Sequence, residues 1–138
     1  MTLPILVNID VDDLARAETF YRAALGLNVG RRFGDAGIEL LGASSAVYIL
    51  RKDAGSVASG TTAQTRDYAR HWTPVHLDFV VTDLAAAIAR AQAAGAVCEG
   101  DARTARWGRI ATLADPFGNG FCLIEFLNRG YDEIATRD

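Results

Sequence analysis

Residues 74–84 read PVHLDFVVTDL, and residues 4–14 read PILVNIDVDDL. Both stretches place apolar residues at alternate positions, which is the pattern of a β-strand with one face toward a core. An aspartate that can cap a helix comes near the end of each, and apolar residues at helical spacing follow until a glycine stops the pattern. Aligning Asp13 with Asp83 matches the two copies at an offset of 70 residues. The repeat predicts a duplicated unit that begins with a strand and a helix.

Short β-like runs separated by glycine-rich turns complete each copy. They are LNVGRRF, GIELL and SAVYILR in the first copy, and AVCEGDA, WGRIATLA and GFCLIEFL in the second. The sequence therefore predicts an α+β fold of two tandem βαβββ modules, residues 1–52 and residues 74–128. Residues 53–73 are rich in Gly, Ser, Thr and Ala and are predicted to be a linker, and residues 129–138 form a C-terminal tail.

Each helix has to cover one face of its sheet. The strand faces expected beneath the helices are the apolar ones, Ile5, Val7 and Ile9 in the first module and Val75, Leu77 and Phe79 in the second. The residues between them then point the other way, and they are Leu6, Asn8, Asp10, His76, Asp78 and Val80. We expect the two curved mixed sheets to face each other, so that these residues line a cleft.

Composition excludes several classes of partner. The net charge is −3 and there is no basic run, which argues against a nucleic-acid partner. No apolar stretch approaches the ~20 residues of a membrane span, and the N-terminus lacks a basic region before its apolar run, so no membrane partner is predicted. Only two cysteines are present, which is typical of a reducing compartment, and a cytoplasmic location is expected.

Three stretches resemble the vicinal oxygen chelate superfamily, which includes glyoxalase I, extradiol dioxygenases, fosfomycin-resistance proteins and bleomycin-resistance proteins. They are VDDLARAETFYRAALGL, VTDLAAAIARAQAAGA and ADPFGNGFCLIEF, and the resemblance covers about residues 3–127. It implies the paired-module fold and a homodimer. It leaves the activity open, because this fold hosts lyases, thiol transferases, dioxygenases and drug-binding proteins.

The metal-binding members of the superfamily use His, Gln or Glu at one position on the first and last strand of each module. The matching positions here are Leu6, an acid-free strand 45–51, His76 and Cys122. A catalytic divalent site needs about three protein ligands, so no metal is predicted. If zinc, nickel, iron or manganese does bind, His76 is the expected ligand. Glu125 lies at an odd offset from Cys122 and is expected on the opposite strand face.

The candidate site residues come from the predicted cleft. His76 and Asp78 are the candidate catalytic pair, and the full set of candidate ligand-binding residues is Asn8, Asp10, Tyr48, His76, Asp78, Trp107, Arg109 and Cys122. Each has an ordinary alternative. The carboxylates could pair with Arg103, Arg106 or Arg109, the aromatic residues could pack in a core, and Cys122 could act as a small apolar residue. His76 could simply line the cleft.

Three hypotheses of function follow, and whether the protein is an enzyme stays open. The first is a metal-free protein, similar to bleomycin-resistance proteins, that binds a small organic ligand. The second is a metal-dependent lyase, isomerase or dioxygenase that uses His76 with further ligands such as Glu39. The third is a metal-free enzyme in which His76 and Asp78 act as an acid–base pair.

Overall fold

The repeat is present in the structure as two units that share one order of elements. The computed structural model describes residues 1–136 and divides into a first unit that ends at Ala69 and a second that begins at Arg70. The division falls inside the predicted linker 53–73. Residues 137 and 138 of the predicted tail lie outside the described residues.

The first unit contains one helix and a four-stranded sheet. Its elements are β1 (Val7–Val11), α1 (Leu14–Leu25), β2 (Asn28–Arg32), β3 (Gly37–Leu41) and β4 (Val47–Arg51). The strand order is β1-β4-β3-β2, in which β1 runs parallel to β4 and the other pairs are antiparallel. The sheet is therefore mixed, with α1, β2 and β3 forming the long connection that a parallel pair of strands requires.

The second unit repeats this order and adds a strand. Its elements are β5 (Leu77–Val80), α2 (Leu84–Ala94), β6 (Val97–Cys98), β7 (Arg103–Ala105), β8 (Gly108–Ala114) and β9 (Gly120–Phe126), followed by a 3₁₀ helix (Gly130–Glu133). The order is β5-β9-β8-β6, with β7 paired to β8, and only β5 and β9 run parallel. The α+β prediction with mixed sheets is confirmed.

Both helices begin and end where the sequence predicts. The Asp13 carboxylate accepts a hydrogen bond from the Arg16 backbone N–H at 3.0 Å, and Asp83 does the same for Ala86. Gly26 ends α1 with a φ of 69°, a left-handed conformation that glycine adopts without steric cost. No helix within residues 1–136 is long and apolar enough to span a bilayer.

Alternation along the strands separates a helix-covered face from a helix-free face in each sheet. In the first unit the buried apolar residues of the strands are Val11, Ile38, Leu40, Val47 and Ile49. In the second unit the helix-covered ones include Ala111, Leu113, Phe121 and Leu123, while Cys122 and Ile124 at the intervening positions of β9 are buried as well. Residues at the intervening positions form the helix-free faces, which carry most of the predicted site residues.

The strands begin two residues later than the alternation predicts. Ladder pairing starts at Val7 with Val47 and at Leu77 with Phe121. Ile5 and Val75 precede their strands and are exposed, so the prediction that the helices cover them is wrong. The apolar alternation begins two residues before the first position that pairs with a neighbouring strand, so the pattern alone places the start of each strand too early.

Most of the predicted linker is folded within the first unit. The backbone N–H of Gly55 donates to the Arg66 carbonyl and that of Ala58 donates to Gln64, which closes a hairpin-like loop. The Arg66 guanidinium then donates to Asp10 Oδ2 at 2.8 Å and to the Val57 carbonyl at 2.7 Å. One arginine therefore fastens this loop to strand β1.

Candidate functional site

The helix-free face of the second sheet brings three predicted site residues together. Asp78 on β5 lies in register with Cys122 on β9, and His76 immediately precedes β5. His76 Nε2 lies 3.2 Å from Asp78 Oδ1. One possible ligand atom from each of the three residues lies within 4.8 Å of the other two. Sequence reasoning counted His76 and Cys122 as possible metal ligands, and the structure adds Asp78.

Cys122 is the buried member of this group. Its thiol lies 3.7 Å from Thr112 Oγ1. Burial raises the pKa of the Cys122 thiol, the Thr112 hydrogen bond lowers it, and the nearby Asp78 carboxylate raises it again. The net direction is upward, so the thiol keeps its proton at neutral pH and is a weak nucleophile.

Trp72 lies beside this group. Its ring centroid is 4.8 Å from that of His76, and the residue is 49% exposed. It occupies the space that a side chain at position 120 would need, because a Cβ on Gly120 would come 2.1 Å from Trp72 Cε3. Arg70 lies on the same ring, with Cζ 5.5 Å from its centroid. The partly exposed Trp72 ring therefore borders the His76–Asp78–Cys122 group.

The turn DPFGN between β8 and β9 holds the Trp72 segment in place. The buried Asp115 carboxylate accepts hydrogen bonds from the backbone N–H groups of Phe117 and Asn119 and from Asn119 Nδ2, at 2.8 to 3.0 Å. Asn119 Oδ1 lies 2.9 Å from His71 Nε2, and the His71 backbone N–H donates to Gly118. The turn thus orders residue 71, next to Trp72 in the chain.

Other predicted residues of the second unit lie elsewhere. Arg109 is in register with Glu125, whose carboxylate accepts a hydrogen bond from the Leu84 backbone N–H at the start of α2. Alternation along β8 therefore places both residues on the helix-covered side of the sheet, so that Arg109 does not lie with Asp78 and Cys122. Trp107 contacts Tyr131, with ring centroids 5.1 Å apart, and Phe126, away from His76.

In the first unit, Asp10 already has a cationic partner. It pairs with Arg66 and not with the three arginines considered from the sequence. Asn8, on the same strand, is exposed and lies in register with Tyr48. Of the predicted residues here, Asn8 and Tyr48 are thus neighbours on the helix-free face, while Asp10 is engaged in holding the loop.

Tyr48 belongs to a cluster that the sequence did not reveal. The buried Glu39 carboxylate accepts hydrogen bonds from Arg31 Nε at 3.2 Å, Arg31 Nη2 at 2.7 Å, the Arg31 backbone N–H at 3.0 Å and the Tyr48 hydroxyl at 3.0 Å. Both oxygens are therefore engaged, and Glu39 is a poor candidate for the additional metal ligand. No sequence signal distinguishes Arg31 from other exposed strand arginines.

Replacing Glu39 is expected to make the free energy of unfolding depend less on pH under acidic conditions. The Arg31 guanidinium, then the Arg31 backbone N–H, hold the pKa of Glu39 at about 2, below its ordinary value of 4.5. A carboxylate with a lowered folded-state pKa stabilises the fold above its unfolded pKa, and this stabilisation is lost as pH falls from 4.5 toward 2. Urea midpoints measured across this window should fall less steeply in Glu39→Gln than in the wild type. Parallel curves would contradict the pairing, and the exposed Asp101→Asn serves as the control.

The comparisons with known proteins agree with the fold. Residues 6–124 match the model of the Glyoxalase-like domain family. An anthracycline biosynthesis protein, DauV of Streptomyces sp. strain C5, is 33% identical over 134 residues, which cover 94% of this chain and 43% of that protein. The chain thus spans less than half the length of this curated relative.

Two solved structures show the same fold. The fosfomycin resistance protein FosX of Listeria monocytogenes has a TM-score of 0.70 at 16% identity and covers 92% of this chain and 95% of its own. The antibiotic binding protein TnmS3 of Streptomyces sp. CB03234 has a TM-score of 0.64 at 22% identity and covers 92% and 98%. With two βαβββ-like units and a family match across most of its length, the chain belongs to the glyoxalase-like domain family of the vicinal oxygen chelate superfamily.

Proposed function

We propose that this protein binds a planar small organic molecule beside Trp72 and His76, and that it sequesters or carries this ligand without a metal. The observation that carries the proposal is the half-exposed Trp72 ring, which contacts the His76 ring at an interplanar angle of 34° and lies over Gly120. An exposed indole held in place by neighbouring contacts offers a flat apolar surface to a ligand ring.

The surroundings have the composition of a small-molecule site. Ligand pockets combine aromatic and apolar walls with a few polar groups that fix orientation. Here Trp72 supplies the aromatic surface, and His76 and Asp78 supply hydrogen-bonding groups at the rim. The Cys122 thiol keeps its proton and adds a small apolar surface.

The relatives support a class of ligand. One curated relative is named for anthracycline biosynthesis and one structural neighbour for antibiotic binding. We infer that an antibiotic or a biosynthetic intermediate with fused rings is the class to screen first. Homodimer formation and a cytoplasmic location stay predictions.

A metal-dependent reaction is the second candidate, favoured by the convergence of His76, Asp78 and Cys122. Three protein ligands are the number that a catalytic zinc site uses, so the group fits in number. The protonation state of Cys122 is less favourable, because a thiol must lose its proton to bind a metal and burial raises the pKa of this thiol. A bound divalent ion would supply Lewis-acid chemistry. His76 and Asp78 without a metal would form an acid–base pair, which a search for turnover tests.

Trp72→Ala is expected to weaken binding of 1,8-dihydroxyanthraquinone, a neutral planar probe, by about tenfold, since aromatic stacking of one ring is worth on the order of 1–3 kcal/mol. Gly120→Ala should have a similar effect, because its Cβ displaces the Trp72 ring while leaving the indole in the protein. The measurement is a fluorescence titration confirmed by calorimetry.

The matched control is Tyr131→Ala, which removes an aromatic ring of nearly equal exposure, 50%, outside the group. Equal affinities in Trp72→Ala, Tyr131→Ala and the wild type would contradict the proposed site. Elemental analysis after incubation with zinc, nickel, iron or manganese separates the two candidates. Near-stoichiometric metal that His76→Ala abolishes would favour the metal-dependent enzyme.

A further inference from the structure

Strand β2 carries a β-bulge opposite Glu39. Val29 pairs with Leu40 and Arg32 pairs with Ile38, so that Gly30 and Arg31 together oppose the single residue Glu39. A bulge takes a backbone N–H out of the ladder and re-aims a side chain, and bulges are common next to functional sites. Here the released Arg31 N–H donates to Glu39 Oε1 at 3.0 Å.

Glycine at position 30 makes room for this carboxylate. A Cβ there would come 2.5 Å from Glu39 Oε1 and 2.9 Å from Leu41 Cδ1. Tyr48 lies in register with Glu39 on the neighbouring strand and donates its hydroxyl proton to Oε2. Burying a carboxylate is costly unless it is paired and hydrogen-bonded, and these residues supply both conditions. The local sequence is built around a guanidinium held in one orientation.

The oriented guanidinium has donors left over. Arg31 donates from Nε and Nη2 to Glu39 and from Nη2 to the Tyr48 hydroxyl as well, while its Nη1 has no hydrogen-bond partner among residues 1–136. Its side chain is 67% exposed even though its partner Glu39 is buried. In an ion pair with a purely structural role, the guanidinium only neutralises the carboxylate. Arg31 neutralises Glu39 and also presents N–H groups to solvent in a fixed direction.

Aromatic rings lie beside those free donors. Arg31 Cζ lies 5.8 Å from the ring centroid of Phe33, and the Phe33 and Tyr48 centroids are 6.3 Å apart. Phe33 is 43% exposed, so part of its ring is available for contact. A fixed cation beside exposed ring surface suits a ligand that joins an anionic group to a flat ring.

We propose that the helix-free face of the first unit carries a binding site for aromatic carboxylates, in which Arg31 recognises the carboxylate and Phe33 contacts the ring. Glu39 and Tyr48 are positioning residues that act through Arg31. The site goes beyond the function proposed above, since none of its residues lies in the second unit.

The test is an NMR titration of the full ¹⁵N-labelled chain with 2-naphthoate and with 2-naphthamide, which has the same ring without the charge. The carboxylate should bind at least about tenfold more tightly, and its shifts should centre on Arg31, Phe33 and Tyr48, because charge-assisted hydrogen bonds are roughly twice as strong as neutral ones. Equal affinities, no binding of 2-naphthoate, or shifts confined to the second unit would each overturn the proposal.

Arg31→Lys should abolish the preference for the carboxylate, because an ammonium paired with Glu39 cannot reproduce the planar fork. Arg32→Lys is the matched control, since it makes the same substitution on the next residue, whose side chain pairs with Glu18. The double variant Arg31→Leu with Glu39→Leu removes both charges and leaves none buried alone, so it should fold and still lack the preference. A preference that survives Arg31→Lys or the double variant would overturn the assignment.

Tyr48→Phe tests positioning, because it keeps the ring and removes the hydroxyl. The Arg31 Nε–H resonance should then exchange faster with solvent and the carboxylate preference should fall. An unchanged Nε–H resonance together with an unchanged preference would overturn the positioning role.

Discussion

Leu123→Ala is expected to lower the free energy of unfolding by about 3 kcal/mol, within the range of roughly 2–5 kcal/mol for emptying a buried leucine site. Leu123 is fully buried in β9, the strand between β5 and β8, and lies in register with Phe79 and Ala111. Its position at the centre of the second sheet means that neighbouring strands cannot easily close the cavity. Urea denaturation followed by circular dichroism measures the change.

Val80→Ala is the matched control for this loss. Val80 lies one residue along from Phe79 on β5 and is 62% exposed, so its truncation should cost less than about 0.5 kcal/mol. Similar costs for the two variants would contradict the assignment of Leu123 to the core of the second unit.

Patterns local in the chain could be read correctly from the sequence. Asp13 and Asp83 cap the helices because capping depends on a side chain and a backbone N–H three residues away. Strand alternation assigned Glu125 to the side opposite Cys122, and its contact with Leu84 confirms that side. These predictions succeeded because the interactions span few residues or follow the strand period of two.

Features that depend on distant contacts could not be predicted. Strand β7 has the sequence Arg-Thr-Ala, which lacks apolar alternation, and only its pairing with β8 makes it a strand. Arg66 looked like part of a linker, although it binds Asp10, 56 residues earlier in the chain. In each case the decisive partner is a hydrogen-bonding group that composition does not identify.

The candidate site combines features that could be predicted from the sequence with features that could not. The resemblance places His76 and Cys122 at the ligand positions of the second module, and the register of β5 with β9 adds Asp78 as their neighbour. The place of Trp72 beside His76 depends on the contacts of the preceding residue with the turn at residues 115–119. The turn motif was recognised from the sequence, whereas its action on residue 71 depends on hydrogen bonds that span 48 positions.

Asp115→Ala is therefore expected to affect both stability and the site. The buried carboxylate accepts hydrogen bonds within the turn from the buried Phe117 N–H and from the half-buried Asn119 backbone and side chain, and its removal takes this acceptor away from them. An unsatisfied buried donor costs roughly 1–3 kcal/mol, so we expect a loss of about 3 kcal/mol for the variant. Urea denaturation measures this loss against Asp101→Ala, an exposed aspartate in the same unit.

The same variant separates a general loss of stability from a specific loss of ligand contact. With Asn119 released, His71 loses its contact with the Asn119 side chain, and Trp72 should leave its position beside His76. At a temperature where the variant is still folded, its tryptophan emission should shift toward that of Gly120→Ala, and its affinity for 1,8-dihydroxyanthraquinone should fall with it. A destabilised variant with wild-type emission and affinity would show that Trp72 is held by other contacts. A parallel change in both would establish that the family's D-P-x-G-N turn supports the aromatic surface of the binding site in this chain.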